Sequence, residues 1–421
     1  MSRTDRRGFL ATTIATAAGL AWPRRLDALR ARLDALAPGQ DPWPAVRAAF
    51  LIPEDRIYLN VSTLGPQPRA VVDAVIEHTR QVAMTYPPRT DWDGLKARLG
   101  AFVNCDPAGL VFPRNTTEGM NFVANGLEFE AGDEILTTDH EHIGGLCPWQ
   151  LVAARRGLTL RQLTLPMTPS SSDELVDVFA SAIGPRTRVI SVSHVTFTTG
   201  LLMPVRRIVE LCRSNGIVAV VDGAHPPGMT RVDIAALGPD FYASSPHKWL
   251  LAPQGTGFLW MGEEWRTRLW PTLASGGWDD TSLGAHRFNH LGTLDESRLA
   301  GLEAALAFQQ AIGIDRIETR VRQLRRHLLD RLSTVSGIDI VSVADDTRAA
   351  GMVSFRVPGI ESLEVQRRLS NVDTPDGMVS IRTRVISEYD YGLIRLSPHI
   401  YNTIAELDVV VGAIDRIART G

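Results

Sequence analysis

The fold of this chain is decided by one stretch, Asp240-Phe241-Tyr242-Ala243-Ser244-Ser245-Pro246-His247-Lys248-Trp249-Leu250. Its first four residues predict a short strand, and the polar turn after them brings Lys248 between apolar segments. An amine in such surroundings loses hydration, which lowers its pKa and makes it a competent Schiff-base nucleophile. Taken alone, Lys248 equally fits a loop lysine whose stem covers an aromatic ring.

A second stretch lies upstream, Ile217-Val218-Ala219-Val220-Val221-Asp222-Gly223-Ala224-His225. It predicts a strand that is buried on both faces and ends in a carboxylate. In open α/β sheets, ligands bind outside the carboxyl ends of the strands. Asp222 alone also fits a turn residue at a strand end. Asp222 and Lys248 together match pyridoxal 5'-phosphate (PLP): the lysine forms the internal aldimine, and the carboxylate keeps the pyridine nitrogen protonated.

Three motifs carry a family resemblance: Val221-Asp222-Gly223-Ala224-His225, Ser245-Pro246-His247-Lys248 and Gly255-Thr256-Gly257. They resemble the class V aminotransferases among fold-type I PLP enzymes, and most of all the isopenicillin N epimerase-like members, which are relatives of cysteine desulfurases. The similarity runs from about Arg56 to the C-terminus. It implies an α/β fold with a mostly parallel central sheet in a large domain, residues 56–312, and a smaller α+β domain, residues 313–421. The strand–helix–strand units between Leu110 and Trp260 independently favour such a sheet.

Length and composition are those of an ordinary globular protein. The 421 residues, 44% of them hydrophobic and 22% charged, are enough for a large domain and a smaller one. The net charge of -3 and the absence of a Lys/Arg run argue against a nucleic-acid partner. Cys105, Cys147 and Cys212 form no CxxC pair and no metal-ligand spacing, which favours buried structural thiols.

The N-terminus predicts an export signal. Thr4-Asp5-Arg6-Arg7-Gly8-Phe9-Leu10 precedes a small-residue apolar run from Ala11 to Ala21, the pattern of a twin-arginine signal over residues 1–22. A helix or linker over residues 23–55 is expected after it. The prediction is a periplasmic or extracytoplasmic protein that the twin-arginine machinery exports already folded, tethered to the membrane if the signal is not cleaved. A chance Arg-Arg pair in a floppy terminus is the alternative.

Thr116 and Thr117 follow the apolar strand Leu110 to Phe112 and precede a helix predicted from about Glu118. Free N–H groups and hydroxyls at a helix N-terminus form an anion site, although threonines also serve as ordinary N-caps. The resemblance implies that this turn binds the cofactor phosphate. It also adds Ser245 and His247 to the cofactor-binding residues.

Asp139-His140-Glu141-His142 follows the predicted strand Glu134 to Thr138. Alternating carboxylates and imidazoles suggest a metal site, but no third cluster supports one, so no metal is predicted. The resemblance instead implies that His142 lies flat over the cofactor ring.

Two further residues are expected near the oxygen of the cofactor ring. Thr196 stands where desulfurases carry an asparagine, and its shorter reach leaves that contact open. His225, three residues after Asp222, is a second candidate for the same oxygen.

The resemblance implies that Thr293 comes from the neighbouring subunit and touches the cofactor phosphate, which predicts a homodimer with a shared active site. Without the resemblance, this residue is a capping threonine before the helix predicted at Ser297 to Ile312.

Two residues are the main candidates for the substrate side, and two more are weaker ones. Arg395 lies in the apolar strand Leu393 to Leu396, where a guanidinium is costly unless it pairs with an anion, so it is predicted to bind the substrate carboxylate. A structural salt bridge is the alternative. Asn60 precedes an entrance loop and equally fits a loop cap. Arg382 and Arg384 are weaker candidates, because their alternate spacing also fits a solvated strand face.

The predicted function is a PLP-dependent reaction at the α-carbon of an amino acid or modified amino acid, by transamination or epimerisation, with Lys248 as general base. A PLP-dependent C–S or C–N lyase is the alternative, and a non-PLP sheet protein is a third. Desulfurases carry a cysteine shortly before the carboxylate-binding arginine, and none lies between Ser354 and Arg395, so no desulfurase activity is expected.

Overall fold

The structure is a computed structural model that describes residues 21–37, 39–85, 90–289, 292–375 and 377–420. Most of the predicted twin-arginine signal, residues 1–20, lies outside the described residues. Within the described ranges, no helix combines the length and apolar character needed to cross a membrane.

The strands form three sheets. In chain order they are β1 (Arg56–Tyr58), β2 (Leu110–Val111), β3 (Glu134–Thr138), β4 (Thr159–Leu163), β5 (Thr187–Ser193), β6 (Val218–Asp222), β7 (Phe241–Ser244), β8 (Phe258–Met261), β9 (Asp339–Ile340), β10 (Val353–Arg356), β11 (Val372–Thr374), β12 (Gly377–Arg382), β13 (Arg384–Ile386) and β14 (Leu393–Leu396).

The largest sheet has, within the described residues, seven strands in the order β2-β8-β7-β6-β5-β3-β4. The neighbours from β4 to β7 are parallel, and β8 runs antiparallel to both β7 and β2. A mostly parallel sheet is therefore confirmed. Because parallel pairing brings the strands' carboxyl ends to one edge, the residues after β3, β5, β6 and β7 meet there.

The described α-helices are Ala21–Asp34, Trp43–Arg47, Arg69–Met84, Trp92–Val103, Thr116–Gly126, Ile143–Arg156, Ser172–Ala182, Val205–Ser214, Ile234–Leu237, Trp265–Arg268, Ser297–Ile312, Ile314–Leu332, Ser362–Leu369 and Ile404–Thr420. Some of them cover the two faces of the large sheet, and the last three pack with strands of the C-terminal part. Val221 of β6 packs in one core with Ile208, and the adjacent Val220 packs in a second core with Trp149. Successive residues of a strand face opposite sides, so a strand covered on both sides is apolar throughout.

The C-terminal part is an α+β unit with a sheet of its own. Four of its six described strands form a sheet in the order β13-β14-β10-β9, and Leu324, Phe355, Ile394 and Ile414 share one core. A small third sheet, β1-β12-β11, joins this unit to the N-terminal half, because β1 pairs in parallel with β12.

The region predicted as a helix or linker, residues 23–55, contains packed structure. Leu26, Leu29 and Leu33 of the helix Ala21–Asp34 are buried in one cluster with Ala70 and Phe308. This helix therefore belongs to the core of the protein.

Candidate active site

The predicted site residues converge on one cavity of about 290 Å³ at the carboxyl ends of the parallel strands. Those that line it are Thr116, Thr117, His142, Asp222, His225, Ser245, His247, Lys248, Arg384 and Arg395. We call Thr116, Thr117 and Ser245 the hydroxyl end of the cavity, and Arg384 and Arg395 its arginine end.

Lys248 and Asp222 face this cavity from the ends of two neighbouring parallel strands, Asp222 at the end of β6 and Lys248 in the turn after β7. Asp222 is the last residue of β6 and pairs in register with Ala243 of β7, five residues before Lys248. Loss of hydration lowers the pKa of Lys248 to about 8, an effect that Asp222 opposes and Arg395 adds to. Burial raises the pKa of Asp222, while Lys248 and the Ala224 N–H act in the opposite direction. The predicted amine and carboxylate thus share one site.

The hydroxyl end is built on the N-terminus of the helix Thr116–Gly126. Asn115 caps this helix by accepting from the Glu118 N–H, so the helix begins two residues before the predicted start. The Thr116 N–H donates to Ser245 Oγ at 3.0 Å, and the two hydroxyl oxygens lie 2.7 Å apart. Free N–H groups, hydroxyls and the positive end of the helix dipole favour an anion at this place.

Two glycines keep space open beside these groups. A Cβ at Gly144 would lie 2.3 Å from Thr117 Oγ1, and a Cβ at Gly145 would lie 2.7 Å from Asp222 Oδ2. Asp222 Oδ1 accepts from the Ala224 N–H, whereas Oδ2 has no hydrogen-bond partner among the described residues. The cavity therefore offers a free carboxylate oxygen next to room for a flat ligand.

His142 is held by its own backbone. It caps the helix Ile143–Arg156, and its Nδ1 accepts from the Gly144 N–H at 3.0 Å. Burial, together with Lys248, Arg395 and Arg384, lowers its pKa to about 3, so the ring is neutral. Its edge-on contact with Phe197, at 5.2 Å between centroids, also restricts its orientation.

The two other histidines of the cavity are also neutral. His225 Nδ1 accepts from Trp249 Nε1 at 3.2 Å, so its proton is on Nε2. Burial, then Lys248, lowers the pKa of His225 well below its usual value. His247 Nδ1 lies 3.3 Å from the Thr256 carbonyl oxygen, and burial lowers its pKa to about 4.

Arg395 is the most buried cation of the cavity, with 2% of its surface exposed. Its Nη1 donates to the Phe197 carbonyl and its Nη2 to Thr63 Oγ1, while the buried Nε has no partner among the described residues. Burial, with Arg384 nearby, lowers its pKa to about 9. A buried guanidinium without a carboxylate partner is suited to bind an anionic ligand.

Four predicted residues do not line the cavity: Asn60, Thr196, Thr293 and the weaker candidate Arg382. Asn60 is buried, and its main-chain carbonyl oxygen accepts from the Thr63 N–H at 3.1 Å. Asn60 therefore supports the loop that carries Thr63. Thr196 Oγ1 accepts from the Leu201 N–H at 3.1 Å inside its own turn. Thr293 is exposed.

The motif Asp139-His140-Glu141-His142 does not gather around one point. His140 Nδ1 contacts Thr198 Oγ1, His142 caps its helix, and Glu141 bonds to Ser193. Among the residues that the structure describes, no group of three or more His, Cys, Asp or Glu side chains could hold a metal ion.

Sequence reasoning missed the roles of Glu141 and Ser193. Glu141 is buried beside the cavity; its Oε2 accepts from Ser193 Oγ at 2.6 Å and its Oε1 from Thr138 Oγ1 at 2.7 Å. Burial raises the pKa of Glu141 to about 7, although these hydrogen bonds act against the shift. Ser193 itself lines the cavity. The only sequence signal was that Glu141 precedes His142 at a strand end.

The residues present fit PLP. Hydroxyls and a helix N-terminus at one end suit a phosphate, and Lys248, Asp222 and the neutral His142 surround the middle. The space beside Gly144 and Gly145 suits a planar ring.

The model of the aminotransferase class V family matches residues 88–410. This chain belongs to the class V aminotransferase family. The isopenicillin N epimerase of Amycolatopsis lactamdurans is 34% identical over 90% of this chain and 99% of its own length. The isopenicillin N epimerase of Streptomyces clavuligerus is 31% identical over 89% of this chain and 98% of its own length. Other relatives are described as cysteine desulfurases.

Among solved structures, the protein C-DES, a mutant with glycine covalently linked to its PLP cofactor, superimposes with a TM-score of 0.78. It is 25% identical and covers 88% of this chain and 98% of its own. The predicted family, fold type and PLP dependence are thereby confirmed at the level of the family.

Proposed function

We propose that this class V enzyme binds PLP at Lys248 and acts at the α-carbon of an amino acid or modified amino acid, by epimerisation or transamination. The observation that supports this most is that one amine, one carboxylate and one buried guanidinium without a carboxylate partner face the same cavity. PLP, when bound, supplies an aldehyde that condenses with amines and a ring that stabilises negative charge at the α-carbon.

The large-domain residues would hold the cofactor. Thr116, Thr117 and Ser245 would bind its phosphate, with His247 beside them. Asp222 would keep the ring nitrogen protonated, and His225, whose proton is on Nε2, would donate to the ring oxygen. Thr196, which bonds within its own turn, is not needed for that contact.

Arg395 and Lys248 would act on the substrate. The guanidinium of Arg395 binds the α-carboxylate and so orients the bonds of the α-carbon. Lys248, with a pKa of about 8, holds enough of its neutral form near neutral pH to remove the α-proton.

A C–S or C–N lyase is the second candidate. It is favoured by the solved structure of C-DES with cysteine persulfide, in which the protein is described as a cystine C–S lyase. That protein is 25% identical, superimposes with a TM-score of 0.75, and covers 85% of this chain and 97% of its own. A keto acid released together with ammonia or a thiol would identify this activity, whereas transamination moves the amino group to an acceptor.

We further propose that the protein is not a cysteine desulfurase. Cys105 and Cys212 are held by burial with pKa values near 12, which disfavours the thiolate, and Cys147 does not line the cavity. The expected result is no sulfide above background from cysteine. Sulfide release at the rate of a true desulfurase would contradict the proposal.

The decisive experiment uses the rarity of lysine. The chain contains two lysines, Lys96 and Lys248. Protein purified with PLP should show a visible absorption band, and borohydride reduction should leave the cofactor on the Lys248 peptide. Lys248→Ala should lose both signals, and Lys96→Arg should keep them. Labelling of Lys96 alone, or an unchanged band in Lys248→Ala, would refute the assignment.

Substrate screening completes this test. Loss of α-deuterium from labelled amino acids, measured by mass spectrometry, would show which of them react. Exchange with none of the common amino acids would count against action at the α-carbon of a free amino acid.

We also propose a homodimer in which Thr293 reaches the partner's site. The support is that Thr293 is exposed and that Trp270, Leu273, Trp278 and Leu283, which precede it, are exposed apolar residues. A 1:1 mixture of Lys248→Ala and Thr293→Val chains should recover activity through mixed dimers. A monomer in light scattering would contradict it.

Export by the twin-arginine route remains a proposal that rests on Arg6 and Arg7. The parent should reach the periplasm of a host that has the pathway, and an Arg6→Lys, Arg7→Lys variant should stay in the cytoplasm. Equal distribution of both would contradict it.

A further inference from the structure

The arginine end contains a second cation that the proposed function does not use. Arg384 lines the cavity and stands directly opposite Arg395 in the antiparallel pair β13–β14. Directly opposite residues project from the same face of a sheet, and like charges in that position destabilise it. The pair is therefore costly unless anions compensate both charges.

Glu388 compensates Arg384 only in part. Arg384 Nη2 donates to Glu388 Oε1 at 2.8 Å, and this is the only hydrogen bond of the Arg384 guanidinium within the described residues. A guanidinium has five N–H donors, so most of its binding capacity stays available. Its charge acts inside the cavity, because it lowers the pKa values of both Arg395 and His142.

The turn that carries Glu388 is anchored to the large domain. The adjacent Tyr389 donates its hydroxyl to the Glu141 carbonyl at 2.8 Å, next to His142. Tyr389 and Asp390 both have a φ of 57°, a left-handed conformation that non-glycine residues rarely adopt. Glu388 is thus held in place by its turn, and it can orient Arg384 toward the cavity.

The two arginines lie at different depths. Arg395 is 2% exposed, whereas 39% of the Arg384 side chain is exposed, so Arg384 lies nearer the rim. A substrate whose α-carboxylate is bound by Arg395 must extend its side chain away from that deep position. A group at the far end of the side chain is then the one that Arg384 can reach.

We propose that Arg384 binds a second carboxylate, in the side chain of the substrate, and that the enzyme selects amino acids with such a distal carboxylate. This inference rests on the proposed PLP-dependent function. The guanidinium matches a carboxylate in a bidentate manner and discriminates against the uncharged amide of the same shape.

The experiment compares acid and amide pairs on the PLP-loaded protein: glutamate with glutamine, and aspartate with asparagine. Apparent dissociation constants come from the change in visible absorbance, and turnover comes from loss of α-deuterium. We expect at least one acid to bind tenfold or more tightly than its amide. Arg384→Gln should abolish this preference and leave the constants of the amides unchanged.

Arg382→Gln is the matched control, because Arg382 is exposed at the end of the preceding strand, β12, and does not line the cavity. It should keep the full preference, and Arg384→Lys should keep part of it. The visible band of each variant shows that it is folded and carries its cofactor.

Three results would overturn the inference. The first is an equal loss of affinity for acids and amides in Arg384→Gln. The second is a parent that binds acids no more tightly than amides, and the third is a parent that binds neither acid. Failure of the proposed function looks different, since the visible band, the borohydride label at Lys248 and α-deuterium loss from every amino acid would then be absent.

Discussion

At the hydroxyl end of the cavity, neutral donors project from a helix N-terminus and from the turn after β7, whereas the arginine end presents two guanidinium groups from paired strands of the C-terminal unit. The hydroxyl end assembles within the large domain. The arginine end depends on where a second unit places β13 and β14 against the loops that carry Thr63 and Phe197.

This difference has energetic consequences. A hydroxyl without its ligand stays satisfied by a neighbour, as Thr116 and Ser245 do for each other. A buried guanidinium cannot lose its charge easily, so its position carries a desolvation cost until an anion binds. Substitutions at the arginine end should therefore act on the substrate strongly, and those at the hydroxyl end should act mildly on the cofactor.

The largest expected effect comes from Arg395→Gln. Removal of one partner of a buried charge pair is costly, so kcat/KM should fall by about a hundredfold or more. The dissociation constant of PLP should stay the same, because the hydroxyl end is intact. Arg395→Lys keeps the charge but loses the planar guanidinium fork. Its kcat/KM should lie between the values of the parent and of Arg395→Gln. A parallel loss of cofactor affinity would mean that the two ends are not separable.

An intermediate effect is expected for Thr117→Val, which has nearly the same shape without the hydroxyl. Loss of one hydrogen bond to a charged group should weaken PLP binding about tenfold. Thr117→Ser should bind PLP as the parent does, since it keeps the hydroxyl. Once saturated with PLP, the Val variant should turn over at the parent's rate. A lower rate at saturation would place Thr117 in the reaction itself.

The smallest effect concerns Glu141, which is bonded to Ser193 of the cavity wall. Its folded pKa of about 7 lies above the unfolded value, so the folded state binds the proton more tightly. Glu141 therefore contributes to the free energy of unfolding at low pH. This contribution is lost as the pH rises through 7, by about 1 kcal/mol between pH 6 and 8. Glu141→Gln should remove that part of the pH dependence. Urea unfolding at both pH values measures it, and an unchanged pH dependence would contradict the shift.

Much of the hydroxyl end and the centre was predictable. Asp222 and Lys248 were found because apolar runs that end in polar residues mark strand ends, and parallel strands bring those ends together. The sequence makes Arg384 a weaker candidate, because Arg382 and Arg384 alternate like a solvated strand face. In the structure the strand breaks at Thr383, so β12 ends at Arg382 and β13 begins at Arg384. Arg382 stays exposed, and Arg384 turns into the cavity.

Thr196, in contrast to Arg384, is a predicted site residue that does not line the cavity. It stands at the expected place after β5, but its hydroxyl accepts from the Leu201 N–H inside a turn that sequence patterns do not reveal. Similarly, Asn115 rather than a threonine caps the helix of the hydroxyl end, so both threonines lie inside its first turn.

The sequence by itself determined the family, the parallel sheet and the amine–carboxylate pair, because these follow from hydrophobic periodicity and short contiguous motifs. Only the tertiary structure decided that Arg384 joins Arg395, that Glu141 and Ser193 support the cavity, and that Thr196 lies outside it. These contacts join residues far apart in the chain, and their geometry depends on strand pairing and on how the two units pack, which no local pattern encodes.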